Sequence, residues 1–253
     1  MAVIAGVAQS VAPPPSPPVF LQRDPSRFAV GCDLAQANDW TAVSVVEHKA
    51  GVLDYNTEWE RHCGIGARPQ VKTEYFDLRH LERVRGLSYV DIVARLKTMM
   101  ATPPLCGDAG TPPAELVVDA TGVGRGVTDL IADAGLPFIG VVITGGIETT
   151  HAQGNFWHVS KLDLVSRLDG KLHSGALRIA AALKEASNLA EELKNFRRAV
   201  SASGRATFGA RATAHDDLVL SCALAIWWLG WPPVPRVRAG RLLMGRCDGQ
   251  GHF

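Results

Sequence analysis

The sequence predicts an α/β fold built on a mixed β-sheet, with an antiparallel meander followed by parallel strands and with helices on both faces. Two observations predict it. Strand-like segments follow one another in the first third of the chain, and strands alternate with helical segments in the remainder. The 253 residues, of which 47% are hydrophobic and 20% charged, suit one domain of this class with additional loose ends.

Four segments in the first third of the chain have strand character and short connections, which is typical of an antiparallel meander. They are RFAVGCDLA (27–35), WTAVSVVEH (40–48), GVLDYNTEWERH (51–62) and VKTEYFDLRH (71–80). The first is a short apolar run that leads to Asp33. The second has the alternation and the β-branched content of a half-buried strand.

Helical and strand-like segments alternate from there on. SYVDIVARLKTMMA (88–101) has helical periodicity, and Ser88 is in position to cap the helix. The further predicted elements are a buried strand entering a Gly-rich turn at ELVVDATGVG (115–124), a helix at Arg125–Ala134, a strand at PFIGVVITGG (137–146), helices near His158–Gly170 and Ala181–Val200, and a short strand at ALRIA (176–180).

The last predicted element is an apolar helix at LVLSCALAIWWLGW (218–231), which Pro232 ends. It is shorter than the roughly 20 residues that span a bilayer, and the chain does not start with a basic signal-peptide region, so we expect a soluble protein. Residues 1–26, with the run PPPSPP, are predicted to be a disordered leader. Residues 232–253, rich in Arg, Gly and Pro, are predicted to be a flexible tail, which leaves residues 27–231 as the folded domain.

Charge and cysteine content exclude several classes of protein. Lys and Arg number 26 against 25 Asp and Glu, so the net charge of +1 gives no general attraction for a polyanion. The five cysteines form no C-x-x-C pair, which favours free thiols in a reducing cytosol over a disulfide framework or a zinc site. No G-x-x-x-x-G-K-[ST] sequence occurs, so a P-loop ATPase is not encoded here.

Acidic residues stand at the ends of predicted buried elements. Asp33 and Asp119 each end an apolar strand, and Asp216 and Asp217 directly precede the last helix. Carboxylates are rarely buried unless they are paired or bound to metal, and a divalent cation relieves the repulsion between them. Oxygen ligands without nearby Cys or His favour Mg²⁺ or Mn²⁺. Two such ions about 4 Å apart could activate a water on one side of a phosphodiester and stabilise the leaving oxygen on the other.

Each acid also has a simpler interpretation. Asp33 and Asp119 fit Asx turns after strands, Asp39 fits a turn, and either Asp216 or Asp217 fits a helix N-cap. The Gly-rich turn after Asp119 could instead cradle a phosphate, although GVGRG is not a complete G-x-G-x-x-G motif. Pattern and composition leave these alternatives open.

Four segments occur in an order that resembles the nuclease domain of phage terminase large subunits. They are VGCDLAQANDWTAVSVVE (30–47), LVVDATGVGRGVTDLI (116–131), HVSKLDLVSRL (158–168) and AHDDLVLSCALAIW (214–227). The resemblance covers nearly the whole predicted domain. It implies the fold of ribonuclease H and of the Holliday-junction resolvases.

The resemblance also implies a catalytic site with two Mg²⁺ or Mn²⁺ ions. Carried over onto this sequence, Asp33 and Asp119 would be catalytic metal ligands, and the third would come from the HDD block, where Asp217 is favoured over Asp216. Asp39, six residues after Asp33, corresponds to a further metal-associated position in some relatives.

The activity implied by the resemblance is cleavage of double-stranded DNA, with little sequence preference, when a viral capsid is filled in the cytoplasm of the host cell. The implied partners are double-stranded DNA, a separate terminase ATPase motor, a small terminase subunit and a portal. Only the Pro-rich leader precedes Arg27, where such subunits carry their ATPase. We therefore expect an isolated nuclease module, a split gene product or a prophage remnant.

Three basic residues are candidates for DNA contacts: Lys161 on a predicted helix, and Arg205 and Arg211 in the loop before the HDD block. Basic residues near a metal site can hold phosphates without reading bases, although a solvated surface charge is the simpler interpretation of each. Gly204 and Gly209 would let the loop close over a substrate.

Other functions remain open from the sequence. A structure-selective nuclease of the Holliday-junction resolvase kind would use the same fold and the same acids. A non-catalytic packaging or assembly module would have lost its activity. A phosphate-binding ATPase of the actin and sugar-kinase superfamily also uses acids at strand ends.

Overall fold

The computed structural model describes residues 19–34, 39–54, 72–122, 124–195, 197–200, 206–209 and 216–231. Its strands are β1 (Val19–Arg23), β2 (Arg27–Asp33), β3 (Trp40–Asp54), β4 (Lys72–Arg85), β5 (Glu115–Asp119), β6 (Phe138–Thr144), β7 (Thr150–His151), β8 (Phe156–Ser160), β9 (Leu177–Ile179), β10 (Arg197–Val200) and β11 (Ala206–Gly209). Its helices are α1 (Tyr89–Met100), α2 (Gly124–Asp133), α3 (Lys161–His173), α4 (Ala186–Asn195) and α5 (Asp217–Leu229).

Strands β1 to β9 form one mixed sheet. Its order is β7-β8-β6-β5-β2-β3-β4-β9, and β1 pairs with β3. Strands β2, β3 and β4 form an antiparallel meander, whereas β2, β5, β6 and β8 are parallel neighbours. Strands β10 and β11 pair separately. The predicted fold class, a mixed sheet with a meander and parallel strands, is confirmed.

Helices cover both faces of this sheet, as the sequence predicts. Helices α3, α4 and α5 contribute Leu164, Leu189 and Trp227 to the hydrophobic core on one face. The other core contains Leu96 of α1 and Ile131 of α2. Side chains of a strand point alternately to its two faces, so the even-numbered residues of β2 face α1 and α2 while the odd-numbered ones face α5.

Helix α5 lies directly on the sheet. Its residues Leu218 to Trp227 are all buried, which explains why its sequence is apolar on every side. Gly31 allows the close approach, since a Cβ atom at this position would lie 1.9 Å from the backbone oxygen of Ser221. Within the described ranges, no helix is both long and apolar enough to cross a membrane.

The first predicted helix is confirmed together with its cap. Helix α1 begins at Tyr89, and the Ser88 side chain accepts a hydrogen bond of 3.2 Å from the Asp91 backbone N–H. The predicted third strand, in contrast, is not separate. Its residues 51–54 extend β3, and the rest of that segment lies outside the described residues.

Two predicted helices have different bounds. The helix predicted near His158–Gly170 begins at Lys161, because Phe156–Ser160 pair in parallel with β6. The long helix predicted at Ala181–Val200 is shorter, running from Ala186 to Asn195, and Arg197–Val200 form a strand instead.

The predicted disordered leader, residues 1–26, contains a strand near its end. Val19–Arg23 form β1 against β3. Ser26 donates a 2.9 Å hydrogen bond to the buried carboxylate of Glu47, which also pairs with Arg23 at 3.2 Å. The ordered chain therefore starts before Arg27. Residues 1–18 and the predicted tail, residues 232–253, lie outside the described residues.

The two ends of the predicted domain meet at one edge of the sheet. Arg27, the first residue of β2, donates hydrogen bonds to the backbone oxygens of Leu229 at 3.3 Å and Trp231 at 2.8 Å. Arg27 also pairs with Glu115 at the start of β5, at 3.3 Å. The start of the sheet's central strands is thereby tied to the end of α5.

Candidate functional site

Two of the predicted acids end adjacent parallel strands. Cys32 of β2 is in register with Val118 of β5, so Asp33 and Asp119 are the next residues along the two strands. Both point to the face that α5 covers, because they are in phase with Ala29 and Val117 of that core. Asp33 is 9% exposed and Asp119 is 7% exposed. The sheet therefore holds two buried carboxylates side by side at its carboxyl edge.

The contact between Gly31 and Ser221 brings the other two acids to the same edge. Asp33 lies two residues beyond Gly31 along β2, and Asp217 lies about one helical turn before Ser221 along α5. Because α5 crosses the sheet with its N-terminus toward the carboxyl end of β2, Asp216 and Asp217 are close to Asp33. We call Asp33, Asp119, Asp216 and Asp217 the acid cluster.

Electrostatics support this convergence. The pKa of Asp33 is raised well above its ordinary value, first by burial and then by the negative charges of Asp119, Asp217 and Asp216. Lys161 acts in the opposite direction and lowers it. A buried carboxylate surrounded by three others is costly to ionise, and a nearby cation reduces that cost.

Asp119 is held by the turn that follows its strand. Its Oδ1 accepts a 2.7 Å hydrogen bond from the Thr121 backbone N–H, and the Thr121 hydroxyl accepts one of 2.7 Å from the N–H of Ile143 on β6. Burial raises the pKa of Asp119, while the hydrogen bonds from Thr121 and the charge of Lys161 partly lower it. The Asx-type turn and the place in the acid cluster thus coexist at this residue.

Lys161 is the cation among these acids. It is the first residue of α3, directly after β8, and its Nζ donates a 2.8 Å hydrogen bond to Oδ2 of Asp216. Ser160, the preceding residue, caps α3 by accepting from the Asp163 N–H at 3.0 Å. The end of β8 and the cap of α3 together fix the backbone position of Lys161. Its ammonium therefore lies at the same edge of the sheet as the acid cluster.

The N-terminus of α5 is not capped by its own aspartate. Asp216 occupies the N-cap position, but its side chain makes no capping hydrogen bond there. Instead, Oε2 of Glu192 on α4 accepts from the N–H groups of Leu218 at 3.0 Å and Val219 at 3.2 Å. Burial raises the pKa of Glu192 to about 7, and the charge of Asp217 adds to that shift.

Glu192 was not predicted from the sequence. One signal could have found it: Glu192 lies three residues after the buried Leu189 and is therefore on the apolar face of its helix. An acid in that position is rarely buried without partners.

Of the remaining candidates, only Asp39 lies within the described residues. Asp39 is exposed, and its Oδ1 accepts a 2.9 Å hydrogen bond from the Trp40 N–H, as in a turn. Arg205 and Arg211 lie outside the described residues. Among the residues that the structure describes, no three Asp, Glu, His or Cys side chains are close enough as they stand to hold one ion. Lys161 and the Thr121 N–H occupy carboxylate oxygens of Asp216 and Asp119 instead.

Comparison with known proteins identifies relatives of this chain by sequence. The chain is 30% identical over 198 residues to the terminase large subunit of Thermus phage G20c and, equally, to that of Thermus virus P23-45. Both alignments cover 78% of this chain and 31% of the relative, so the chain spans about a third of the length of these proteins. No family model matches the chain.

Solved structures of a terminase nuclease have a fold similar to that of this chain. The large terminase nuclease from thermophilic phage G20c with bound magnesium superposes with a TM-score of 0.53 at 21% identity, covering 83% of this chain and 86% of that one. The same nuclease with bound cobalt gives a TM-score of 0.52 over the same shares at 21% identity. The two chains thus share one fold over most of their length.

Proposed function

We propose that this protein is a metal-dependent endonuclease that hydrolyses double-stranded DNA. The proposal starts from the predicted resemblance to the nuclease domain of terminase large subunits, which is confirmed in sequence and in fold. The observation that carries the proposal is the acid cluster, in which four carboxylates from three separate elements meet at one edge of the sheet. Such a cluster is costly for a folded protein, and a bound divalent cation removes that cost.

The donor chemistry fits Mg²⁺ or Mn²⁺. The cluster offers carboxylate oxygens, which are the ligands that these ions prefer, and the neighbouring Cys32 points to the opposite face of the sheet. We propose Asp33, Asp119 and Asp217 as the catalytic ligands, with Asp216 as an additional ligand. Two ions held by these residues would supply activation of a water and stabilisation of the leaving oxygen of the phosphodiester.

The protein's own residues would prepare this site in two ways. Thr121 orients the carboxylate of Asp119 through its backbone N–H. Lys161 neutralises part of the cluster's charge through Asp216. We propose that its ammonium also contacts a DNA phosphate when substrate is bound. We also propose Asp39, which directly precedes β3, as a further metal-associated residue by its position in the sequence. Arg205 and Arg211 remain proposed phosphate contacts by their position in the sequence.

The biological setting is proposed from the relatives. They are terminase large subunits, and we propose that this nuclease cuts DNA during the filling of a viral capsid in the cytoplasm of the host. A terminase ATPase motor, a small terminase subunit and a portal would be its partners. The two-ion count is likewise a proposal, supported by the number of carboxylates that meet at the edge.

The test is cleavage of supercoiled plasmid by purified protein with Mn²⁺, Mg²⁺ or EDTA. We expect nicking and linearisation with either ion, none with EDTA, and a loss of at least about 100-fold in Asp119→Asn, because several kcal/mol of transition-state stabilisation depend on the bound ions. Asp129→Asn, which changes an exposed acid on α2, is the matched control and should cleave normally.

A second readout does not depend on activity. Ligands that bind only the native state raise the melting temperature, so Mn²⁺ should stabilise the wild-type protein and not Asp119→Asn. A folded wild-type protein that shows neither a Mn²⁺ shift nor cleavage would contradict the proposal. A strong preference for four-way junctions over linear duplex would identify a structure-selective resolvase instead.

A further inference from the structure

Glu192 connects helix α4 to the N-terminus of α5, where two acids of the cluster lie. Its carboxylate is 8% exposed, and its two oxygens have different partners. Oε2 accepts from the N–H groups of Leu218 and Val219, and Oε1 lies 3.5 Å from the guanidinium of Arg83. The N–H groups of a helix's first turn have no partner within the helix, so this side chain supplies what the N-cap residue itself does not.

Arg83 connects Glu192 to the sheet through an ion pair of 3.5 Å. It lies on β4 opposite Ala42 of β3, which in turn lies opposite Asp33 of β2. Residues directly opposite each other point to the same face, so Arg83 and Asp33 belong to one row across the sheet. Arg83 is also held by Glu185 at 3.4 Å and by the ring of Trp40 at 4.8 Å. The guanidinium therefore lies in the same row as the acid cluster, between two acids and an aromatic ring.

The hydrogen bonds from Glu192 determine where the N-terminus of α5 lies. Leu218 and Val219 directly follow Asp217, so the hydrogen bonds from Glu192 hold the backbone from which Asp216 and Asp217 project. Gly31 and Ser221 set the height of the helix above the sheet, one turn further on. We propose that Glu192 is a positioning residue: by capping α5 from α4, it holds the backbone of Asp216 and Asp217 beside Asp33, from where their side chains would turn to bind metal. This inference rests on the proposed nuclease function.

Two variants of Glu192 separate its reach from its charge. Glu192→Asp keeps the charge but withdraws the carboxylate by one methylene from the N–H groups of Leu218 and Val219. Glu192→Gln keeps the reach and one acceptor oxygen but removes the charge. Glu191→Ala is the matched control, since Glu191 is the preceding residue, is 64% exposed and pairs only on the surface with Lys194.

Three properties are measured for each variant: amide hydrogen exchange, the Mn²⁺ midpoint and plasmid cleavage. Amide hydrogen exchange of the segment 216–222 reports the cap without any metal. We expect about tenfold faster exchange in Glu192→Asp, and little change in Glu192→Gln, because the loss of a cap opens the first turn. The Mn²⁺ concentration at half-maximal thermal shift should rise by about 10-fold or more in Glu192→Asp, as is typical when a group that orients a metal ligand is lost. Plasmid cleavage should fall in parallel.

The outcomes distinguish this inference from the proposed function. Normal exchange and a normal Mn²⁺ midpoint in folded Glu192→Asp would overturn the role of Glu192 while leaving the nuclease intact. The reverse pattern, with Glu192→Gln impaired and Glu192→Asp normal, would show that charge and not capping matters, and would also overturn it. If the wild-type protein neither binds Mn²⁺ nor cleaves DNA, the proposed function fails, and the positioning of metal ligands fails with it.

Discussion

Burial and three neighbouring carboxylates raise the pKa of Asp33, so the folded protein retains a proton there at pH values where the unfolded chain has lost it. The folded state then binds more protons than the unfolded state. The contribution of Asp33 to stability is therefore fully present below the ordinary pKa of an aspartate and is lost as the pH rises through the raised pKa. Asp33, a proposed metal ligand, therefore destabilises the folded protein when no cation is bound.

Asp33→Asn tests this directly. In EDTA at about pH 8, we expect its melting temperature to exceed that of the wild type by about 2–4 °C, which corresponds to about 1 kcal/mol for a domain of this size. In Mn²⁺ the order should reverse, because only the wild type gains the ion. Thermal unfolding between about pH 4 and about pH 8 measures both effects. A lower melting temperature for Asp33→Asn in EDTA would contradict the charge argument.

Lys161→Met should change the melting temperature in EDTA in the direction opposite to Asp33→Asn. It removes the partner of Asp216 and the charge that lowers the pKa of Asp33 and Asp119, so the carboxylates repel one another more strongly. We expect the melting temperature to fall by about 2–4 °C in EDTA and the deficit to shrink in Mn²⁺. Lys194→Met, which breaks an exposed pair with Glu191, is the control and should change it by less than about 1 °C.

Strand ends carry a sequence signal that points to Asp33 and Asp119, but pattern alone left turns and a helix N-cap open, and the resemblance to terminase nuclease domains selected these acids as metal ligands. Asp33 and Asp119 follow apolar runs, and parallel strands bring their carboxyl ends to one edge. Glu192 could not be found in this way, because its role depends on where α4 packs against α5. The N-cap interpretation of Asp216 was correct for its position but not for its side chain, which Lys161 holds instead.

At the scale of elements, the packing of α5 on β2 sets the geometry of the acid cluster. Gly31→Ala would place a Cβ atom 1.9 Å from the Ser221 oxygen, which belongs to the helix backbone and cannot move alone. We expect a loss of about 1–3 kcal/mol from overpacking and a Mn²⁺ midpoint raised by about 10-fold or more, since α5 must lift from the sheet together with Asp217.

Gly170→Ala is the matched control for that change. Gly170 lies in α3, and a Cβ atom there would meet nothing within 4 Å. Alanine is the better helix former, so this variant should be more stable by about 0.5–1 kcal/mol and should bind Mn²⁺ normally. Chemical denaturation measures both free energies of unfolding. Equal effects of the two substitutions would show that the close approach at Gly31 does not matter.

The order of elements could be read from the sequence, but several ends could not. Phe156–Ser160 directly precede α3 in the sequence, and pairing with β6 and β7 makes them a strand. Arg197–Val200 follow a helical segment and become a strand through β11. Val19–Arg23 lie beside a Pro-rich run, and their strand depends on β3. In each case pairing with another strand decides the conformation, and the propensity of the segment alone does not predict that pairing.

At the scale of the whole molecule, the leader and tail can be separated from the domain by truncation. A chain of residues 19–231 should melt within about 2 °C of the full protein, as the composition of the removed segments suggests. A chain of residues 27–231 should melt about 4–8 °C lower, because it loses β1 and leaves the buried Glu47 without Ser26, a loss of about 2 kcal/mol. Equal melting of both chains would show that β1 adds nothing.

The bonds from Arg27 to Leu229 and Trp231 have a mechanical consequence. They join the start of β2 to the end of α5 at the edge of the sheet farthest from Asp33 and Asp217. A force that pulled Trp231 away from the start of β2 would load these hydrogen bonds first. The acid cluster, at the opposite end of β2, would lie outside the path of that force.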